Sequence, residues 1–141
     1  MKTKELLKLL SDQYPPFDSA FIPEFRGGTG WAVEQRVDAI AMHLWPSMGL
    51  ELVGFELKVS RADWLREMKN PRKSDFMKKF CDKWYLVISD LSIVKYPDEL
   101  PPDWGLMFVE KGKIKIMIPA KKLLPVPIDR LFLASLMRRA V

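Results

Sequence analysis

Two neighbouring apolar runs, each interrupted by charge, constrain the fold of this chain more than any other feature. The first reads RVDAIAM and carries Asp38, and the second reads LVGFELKVS and carries Glu56 and Lys58. Residues two apart in a strand share a face, so Glu56 and Lys58 project together while their apolar neighbours project into the opposite layer. Charges in such strands are costly unless they are paired or bind a metal. The runs therefore predict two largely buried strands whose charges have a function.

A turn-rich segment at residues 45–49 separates the two runs, which predicts an antiparallel pair with Asp38 beside Glu56. Adjacent carboxylates repel unless a divalent cation lies between them, and hard oxygen ligands favour Mg²⁺ or Mn²⁺ over Zn²⁺. Because backbone carbonyls often complete such sites, the predicted metal ligands are Asp38, Glu56 and Leu57. Lys58 would orient a water molecule or neutralise developing charge. The alternative is that E-x-K marks the solvent-exposed face of an antiparallel strand, where this alternation is common.

The rest of the chain alternates between strand-like and helix-like periods, which predicts a single α/β domain over residues 1–141. Its central sheet is predicted to be mixed and flanked by helices. The predicted elements are a helix at 3–12, strands at 20–25, 35–42 and 51–59, helical segments at 61–70 and 76–80, strands at 83–89, 105–110 and 113–118, and a final helix after 127.

Composition narrows the class of protein. One cysteine and one histidine in 141 residues exclude an intramolecular disulfide and the usual zinc clusters. No apolar stretch approaches the roughly 20 residues that span a bilayer, and the N-terminus lacks a secretory signal, so we expect a cytoplasmic protein without a membrane partner. A net charge of +5 favours a polyanionic partner such as nucleic acid.

A basic segment follows the E-x-K strand and extends to residue 83. Acidic residues dilute this segment, so it could equally be a solvated helix surface, but its cations could also neutralise phosphates. The predicted nucleic-acid-binding residues are Arg61, Arg66, Lys69, Arg72 and Lys73.

The order of these pieces resembles the PD-(D/E)XK nuclease superfamily, in which an acid on one strand precedes E-x-K on the next. A closer resemblance is to the MmcB-like family of DNA repair endonucleases. It rests on Glu24, RVDAIAM, FELKVSRADW, FCDKWYLVIS and PPDWGLMFVEKGKIKIMIPA, and it covers the chain from about residue 21 to the end. Val37 stands where the superfamily name has proline. The resemblance implies a restriction-endonuclease-like sheet.

The resemblance also implies further catalytic residues beside Asp38, Glu56 and Lys58. An upstream glutamate often reaches the metal in this superfamily, and Glu24 is the chosen candidate, with Glu5 and Glu34 as competitors. A basic residue often comes from the helix after E-x-K, and Lys73 fits that position best, ahead of Lys78.

These observations give a first hypothesis of a Mg²⁺-dependent deoxyribonuclease, an endonuclease acting in DNA repair or in a mobile element. A homodimer would be needed to cut both strands at once. The second hypothesis is a catalytically inactive nuclease-fold module that binds nucleic acid or serves as an adaptor. A third is a small interaction protein with E-x-K on a wet face.

Overall fold

The computed structural model describes residues 1–27 and 35–140. Glu34, one of the candidate acids, lies outside them. The described helices and strands are α1 (Thr3–Ser11), β1 (Ser19–Gly27), β2 (Gln35–His43), β3 (Leu52–Lys58), α2 (Arg61–Met68), α3 (Asp75–Lys78), β4 (Lys83–Ile88), β5 (Gly105–Glu110), β6 (Lys113–Ile118) and α4 (Arg130–Ala140). A short 3-10 turn, Pro71–Ser74, joins α2 to α3.

The strands form one six-stranded sheet in which spatial order follows chain order, from β1 at one edge to β6 at the other. β1 pairs antiparallel with β2, and β2 with β3. β3, β4 and β5 are parallel to one another, and β6 returns antiparallel to β5. The segment containing α2 and α3 supplies the connection that the parallel pair β3–β4 requires. The mixed α/β fold with flanking helices is as predicted.

Two apolar cores lie on opposite faces of this sheet. Leu6 and Leu10 of α1 pack with Phe55 and Leu57 in one core. Helices α2, α3 and α4 cover the other face, where Trp64 of α2 packs with Trp84 of β4. The alternation of β3 therefore assigns Phe55 and Leu57 to the α1 side, and Glu56 and Lys58 to the α2 side. Both tryptophans are fully buried.

Local signals set the boundaries of α2. Ser60 has extended backbone, and its hydroxyl accepts a hydrogen bond from the amide of Asp63 at 3.2 Å, which makes it the N-cap. The helix ends at Met68, before Pro71. Because Ser60 follows β3 by only two residues, this cap fixes where α2 crosses the end of the E-x-K strand.

The extent of β1 and the setting of Lys73 differ from the prediction. β1 runs for nine residues rather than six, because Ser19, Arg26 and Gly27 also pair with β2. Lys73, expected on a helix, lies instead in the Pro71–Ser74 turn. Among the described residues, no helix combines the length and the apolar character needed to cross a membrane.

Candidate functional site

The site is built where the main chains of β2 and β3 separate. Their backbone pairing ends at Ala39 and Phe55, one residue short of Asp38 and Glu56. The carboxylate Oδ2 of Asp38 accepts a hydrogen bond from the amide of Leu57 at 2.8 Å. A side chain thus replaces the backbone acceptor that a continuing ladder would supply. This contact fixes the orientation of Asp38 against the E-x-K strand, as the predicted antiparallel pair required.

Glu56 is a carboxyl group in an unfavourable place for charge. Only 4% of the residue is exposed. Burial raises the pKa of Glu56 well above its ordinary value, and the negative charges of Asp38 and Glu67, together with a hydrogen bond to Asp38, raise it further. Lys58 opposes the rise without cancelling it. The two acids are therefore close neighbours, and Glu56 holds its proton to higher pH than an ordinary glutamate does.

Glu67 of α2 is the residue that sequence reasoning missed. Its carboxylate is buried and binds two lysines, with Lys58 Nζ 3.0 Å from Oε1 and Lys73 Nζ 3.1 Å from Oε2. Burial acts to raise the pKa of Glu67, but its hydrogen bonds to the two lysines outweigh burial and lower it. A signal was available in the sequence, because Glu67 lies three residues after Trp64 and so shares the inward face of the helix.

Lys73, although in a turn, belongs to the same cluster. Burial opposes its charge, but the hydrogen bond to Glu67 and the negative charges of Glu67, Glu56 and Asp38 raise the pKa of Lys73. About half of its side chain is exposed. Lys73 therefore lies between the acids and solvent, where it could meet a substrate.

Glu24 lies on the neighbouring edge strand. The β1–β2 pairing places Pro23 opposite Ala39 and Phe25 opposite Val37, so Glu24 occupies the position opposite Asp38. Its backbone is left-handed, with φ of 49°. Glu24 and Asp38 line one cavity of about 310 Å³ together with Arg26 and Arg36. The exposed Glu24 is thus near Asp38 but outside the buried cluster.

The conformation of Glu24 has a visible effect on β1. Ile22 and Phe25 both pack toward the α2 side core, although residues three apart in a regular strand face opposite ways. The left-handed residue between them changes the alternation. Arg139 of α4 holds the distorted backbone, since its Nη1 donates to the carbonyls of Pro23 at 2.9 Å and Glu24 at 3.2 Å.

Of the remaining candidates, the structure separates Glu5 from the acids and leaves Leu57, Lys69 and Arg72 as predictions. Glu5 is on α1, which packs on the opposite face of the sheet. Leu57 contacts Asp38 through its amide and not through its carbonyl. The carbonyl of Leu57 therefore stays a predicted metal ligand. The exposed Lys69 and Arg72 also stay predictions as nucleic-acid contacts.

Arg61 and Arg66 have protein partners. Arg61 binds both carboxylate oxygens of Glu99, at 3.0 and 2.6 Å, and donates to the carbonyl of Ile93. The hydrogen bond from Arg61 lowers the pKa of Glu99 to about 2. Arg66 forms an exposed ion pair with Asp63 within α2. Arg61 thus ties α2 to the segment after β4.

In the described part of the chain, no group of three or more His, Cys, Asp or Glu side chains is arranged to hold a metal ion. Asp38 and Glu56 are the pair of acids left to bind a cation here, because Glu67 is already paired with Lys58 and Lys73. The cluster combines two oxygen ligands, one of them protonatable, with two anchored ammonium groups. Such a set could bind a hydrated cation, transfer a proton or hold a phosphate.

Comparison with known proteins supports the fold alone. No family model matches the chain, and no curated protein matches it. Its structure is similar to that of the SPO1766 protein of unknown function from Silicibacter pomeroyi, with a TM-score of 0.60 and 20% sequence identity. The match covers 99% of this chain and 86% of that protein. Nearly the whole chain therefore adopts a mixed α/β fold that also occurs in that protein.

Proposed function

We propose that this protein is a metal-dependent nuclease that hydrolyses phosphodiester bonds in DNA, built on a restriction-endonuclease-like form of its α/β fold. The observation that carries the proposal is the position of Asp38 and Glu56 side by side where β2 and β3 part, with Lys58 on the same face as Glu56. The resemblance to MmcB-like proteins favours an endonuclease in DNA repair or in a mobile element.

The two acids fit Mg²⁺ or Mn²⁺. These ions take hard oxygen ligands, and Mg²⁺ is commonly bound through one or two carboxylates while it keeps several waters. A cluster of three acids is therefore not required. When bound, the cation would lower the pKa of a water molecule and stabilise charge on the phosphoryl oxygens.

Each side chain has a separate task in this proposal. The amide of Leu57 fixes the orientation of Asp38 through Oδ2, so the carboxylate is held beside Glu56 before a cation binds. The raised pKa of Glu56 means that a proton competes with a cation for this carboxylate, so cation binding should release protons wherever Glu56 is protonated. Lys58 is held by Glu67 through one of its three N–H donors, and the others could orient water or bind a phosphate oxygen.

Calorimetry with Mn²⁺ and a cleavage assay together test the proposal. The wild type should bind Mn²⁺, release protons, and cleave a single-stranded, duplex, flapped or RNA substrate with Mg²⁺ or Mn²⁺ but not with EDTA. Asp38→Asn and Glu56→Gln should lose both properties while remaining folded. Glu110→Gln, which changes an exposed acid at the end of β5, is the matched control and should retain both. Absence of cleavage and of Mn²⁺ binding in the wild type refutes the proposal.

One observation favours the second candidate, a nuclease-fold module that binds nucleic acid without cutting it. The carboxylate of Glu67 already occupies both lysines near the acids. Such a module should bind DNA at least as tightly after Asp38→Asn, because the substitution removes a repulsive charge. Binding without cleavage, strengthened by that substitution, would support the module over the enzyme.

A further inference from the structure

A second basic region lies away from α2, at the β1 edge of the sheet. A cavity of about 880 Å³ opens between α1, β1 and α4. Its lining includes four cationic side chains and one carboxylate, namely Lys4, Arg26, Arg138, Arg139 and Glu24. Its volume is within the range of about 300–1,000 Å³ typical of ligand sites.

Helix electrostatics accounts for only part of this cluster. Arg138 and Arg139 lie in the last turn of α4, where cations complement the helix dipole. Lys4 comes from α1 and Arg26 from β1, and the dipole of α4 does not explain their presence. Three separate elements thus direct positive charge into one concave space, which is the arrangement expected for binding an anion.

The contacts of the two α4 arginines show how they are held. Arg139 uses Nη1 for the carbonyls of Pro23 and Glu24. Arg138 donates from Nη2 to the hydroxyl of Ser135 at 3.0 Å, and Ser135 is itself buried and donates to the carbonyl of Leu131. Since guanidinium carries five N–H donors, both side chains are positioned while further donors remain.

This basic cavity lies next to the acid site. The smaller cavity that contains Asp38 is also lined by Glu24 and Arg26, so the two cavities share these residues. The path from α4 to Asp38 therefore runs past Arg26 and Glu24. A ligand that crosses it would need several anionic groups spaced along a chain.

We infer that the cavity between α1, β1 and α4 binds the sugar–phosphate backbone of a nucleic-acid strand and leads it to Asp38 and Glu56. This inference rests on the proposed function, because it names the path by which the substrate of that site approaches. A lone phosphate would fill one end only, and the concave shape is unsuited to a flat membrane surface. A positively charged groove that follows the backbone is the usual means of binding single strands.

Fluorescence anisotropy in EDTA tests the inference. The probe is a labelled single-stranded DNA of about 20 nucleotides, which is longer than most single-domain binding sites. The key variant is Lys4→Gln/Arg138→Gln, which spares the carbonyl contacts of Arg139. Lys113→Gln/Lys115→Gln is the matched control, because it removes two exposed charges from β6 at the opposite edge of the sheet. Circular dichroism and thermal melting verify that each variant is folded.

Counterion release sets the expected size of the effect. Each phosphate contact to a single strand contributes about 0.7 to the slope of log K against log salt, or about fourfold in affinity near 0.15 M salt. The Lys4/Arg138 variant should therefore bind about fifteenfold more weakly, with a slope smaller by about 1.4. The Lys113/Lys115 control should match the wild type within about twofold.

Three results would overturn the inference: no DNA binding by the wild type at low salt, unchanged affinity and slope in the Lys4/Arg138 variant, or an equal loss in the control. Phosphatidylserine vesicles and inorganic phosphate serve as competitors. If the substitutions weaken binding to either competitor but not to DNA, the inference also fails. The proposed function is judged separately, because Mn²⁺ binding and its loss in Asp38→Asn do not depend on Arg138.

Discussion

The ion pairs of Glu67 allow a quantitative prediction about the candidate site. Glu67 binds Lys58 and Lys73 at nearly equal distances, 3.0 and 3.1 Å, but the two lysines differ in exposure. The side chain of Lys58 is 17% exposed and that of Lys73 is 54% exposed. Solvent should therefore weaken the Lys73 pair far more than the Lys58 pair.

The magnitudes follow from these environments. A hydrogen bond between charged groups out of solvent contributes about 1.5–3 kcal/mol, which we expect for the coupling between Lys58 and Glu67. A half-exposed pair contributes about 0.2–1 kcal/mol, which we expect for Lys73 and Glu67. Glu67→Gln should thus lower the melting temperature by about 4 °C for each kcal/mol lost.

Double-mutant cycles with glutamine at each position, measured by urea unfolding at neutral pH, separate the two couplings. The cycles should be made in a Glu56→Gln background, since Lys58 also interacts with Glu56. The Lys58 coupling should exceed the Lys73 coupling by at least about 0.5 kcal/mol. Equal couplings, or a stronger one to Lys73, would show that burial does not govern this cluster.

Three further predictions concern the strands around the site. In EDTA, the free energy of unfolding should fall as pH rises from the ordinary glutamate pKa through the raised pKa of Glu56, because the folded protein holds the extra proton in that window. Urea titrations should show this fall in the wild type and its loss in Glu56→Gln, and equal pH profiles of the two proteins would contradict the prediction. Gly54→Ala should lower the free energy of unfolding by about 1–3 kcal/mol, measured by chemical unfolding, because a Cβ there would overlap the ring of Trp84. Gly112→Ala is not a suitable control because the φ of Gly112 is positive, so Ala134→Gly, at an exposed position of α4, calibrates an ordinary substitution. Glu24→Gly should leave the free energy of unfolding within about 1 kcal/mol of the wild-type value, whereas Glu24→Val should lower it by more than that, because a β-branched residue is strained at positive φ. Equal melting temperatures for the two variants would show that the left-handed backbone is not a constraint.

The fold could be predicted from the sequence wherever its signals are local. The period of RVDAIAM and FELKVS and the turn-rich segment between them identify two strands within a few residues of their observed positions. The order of strands across the sheet was not predicted, because the parallel pairing of β3 with β4 and β5 depends on packing between distant segments.

In the candidate site, too, the features set by local signals could be predicted and those set by packing between distant segments could not. The proximity of Asp38 and Glu56 follows from a hairpin between adjacent strands, so period and turn signals are sufficient to predict it. Glu67 was missed because it lies among charged residues on α2, where an acid normally faces solvent, and its burial depends on how that helix packs. The positive φ of Glu24 had no sequence signal, since glutamate rarely adopts that conformation.

The distorted edge strand has a consequence for how copies of this protein behave toward one another. β1 is an outer strand, and outer strands can recruit strands from other molecules through their unpaired N–H and C=O groups. At the centre of β1, Pro23 has no N–H to offer, and Arg139 takes the carbonyls of both Pro23 and Glu24. The residues that place Glu24 opposite Asp38 thus also deprive this edge of a continuous template, which should disfavour edge-to-edge aggregation through β1.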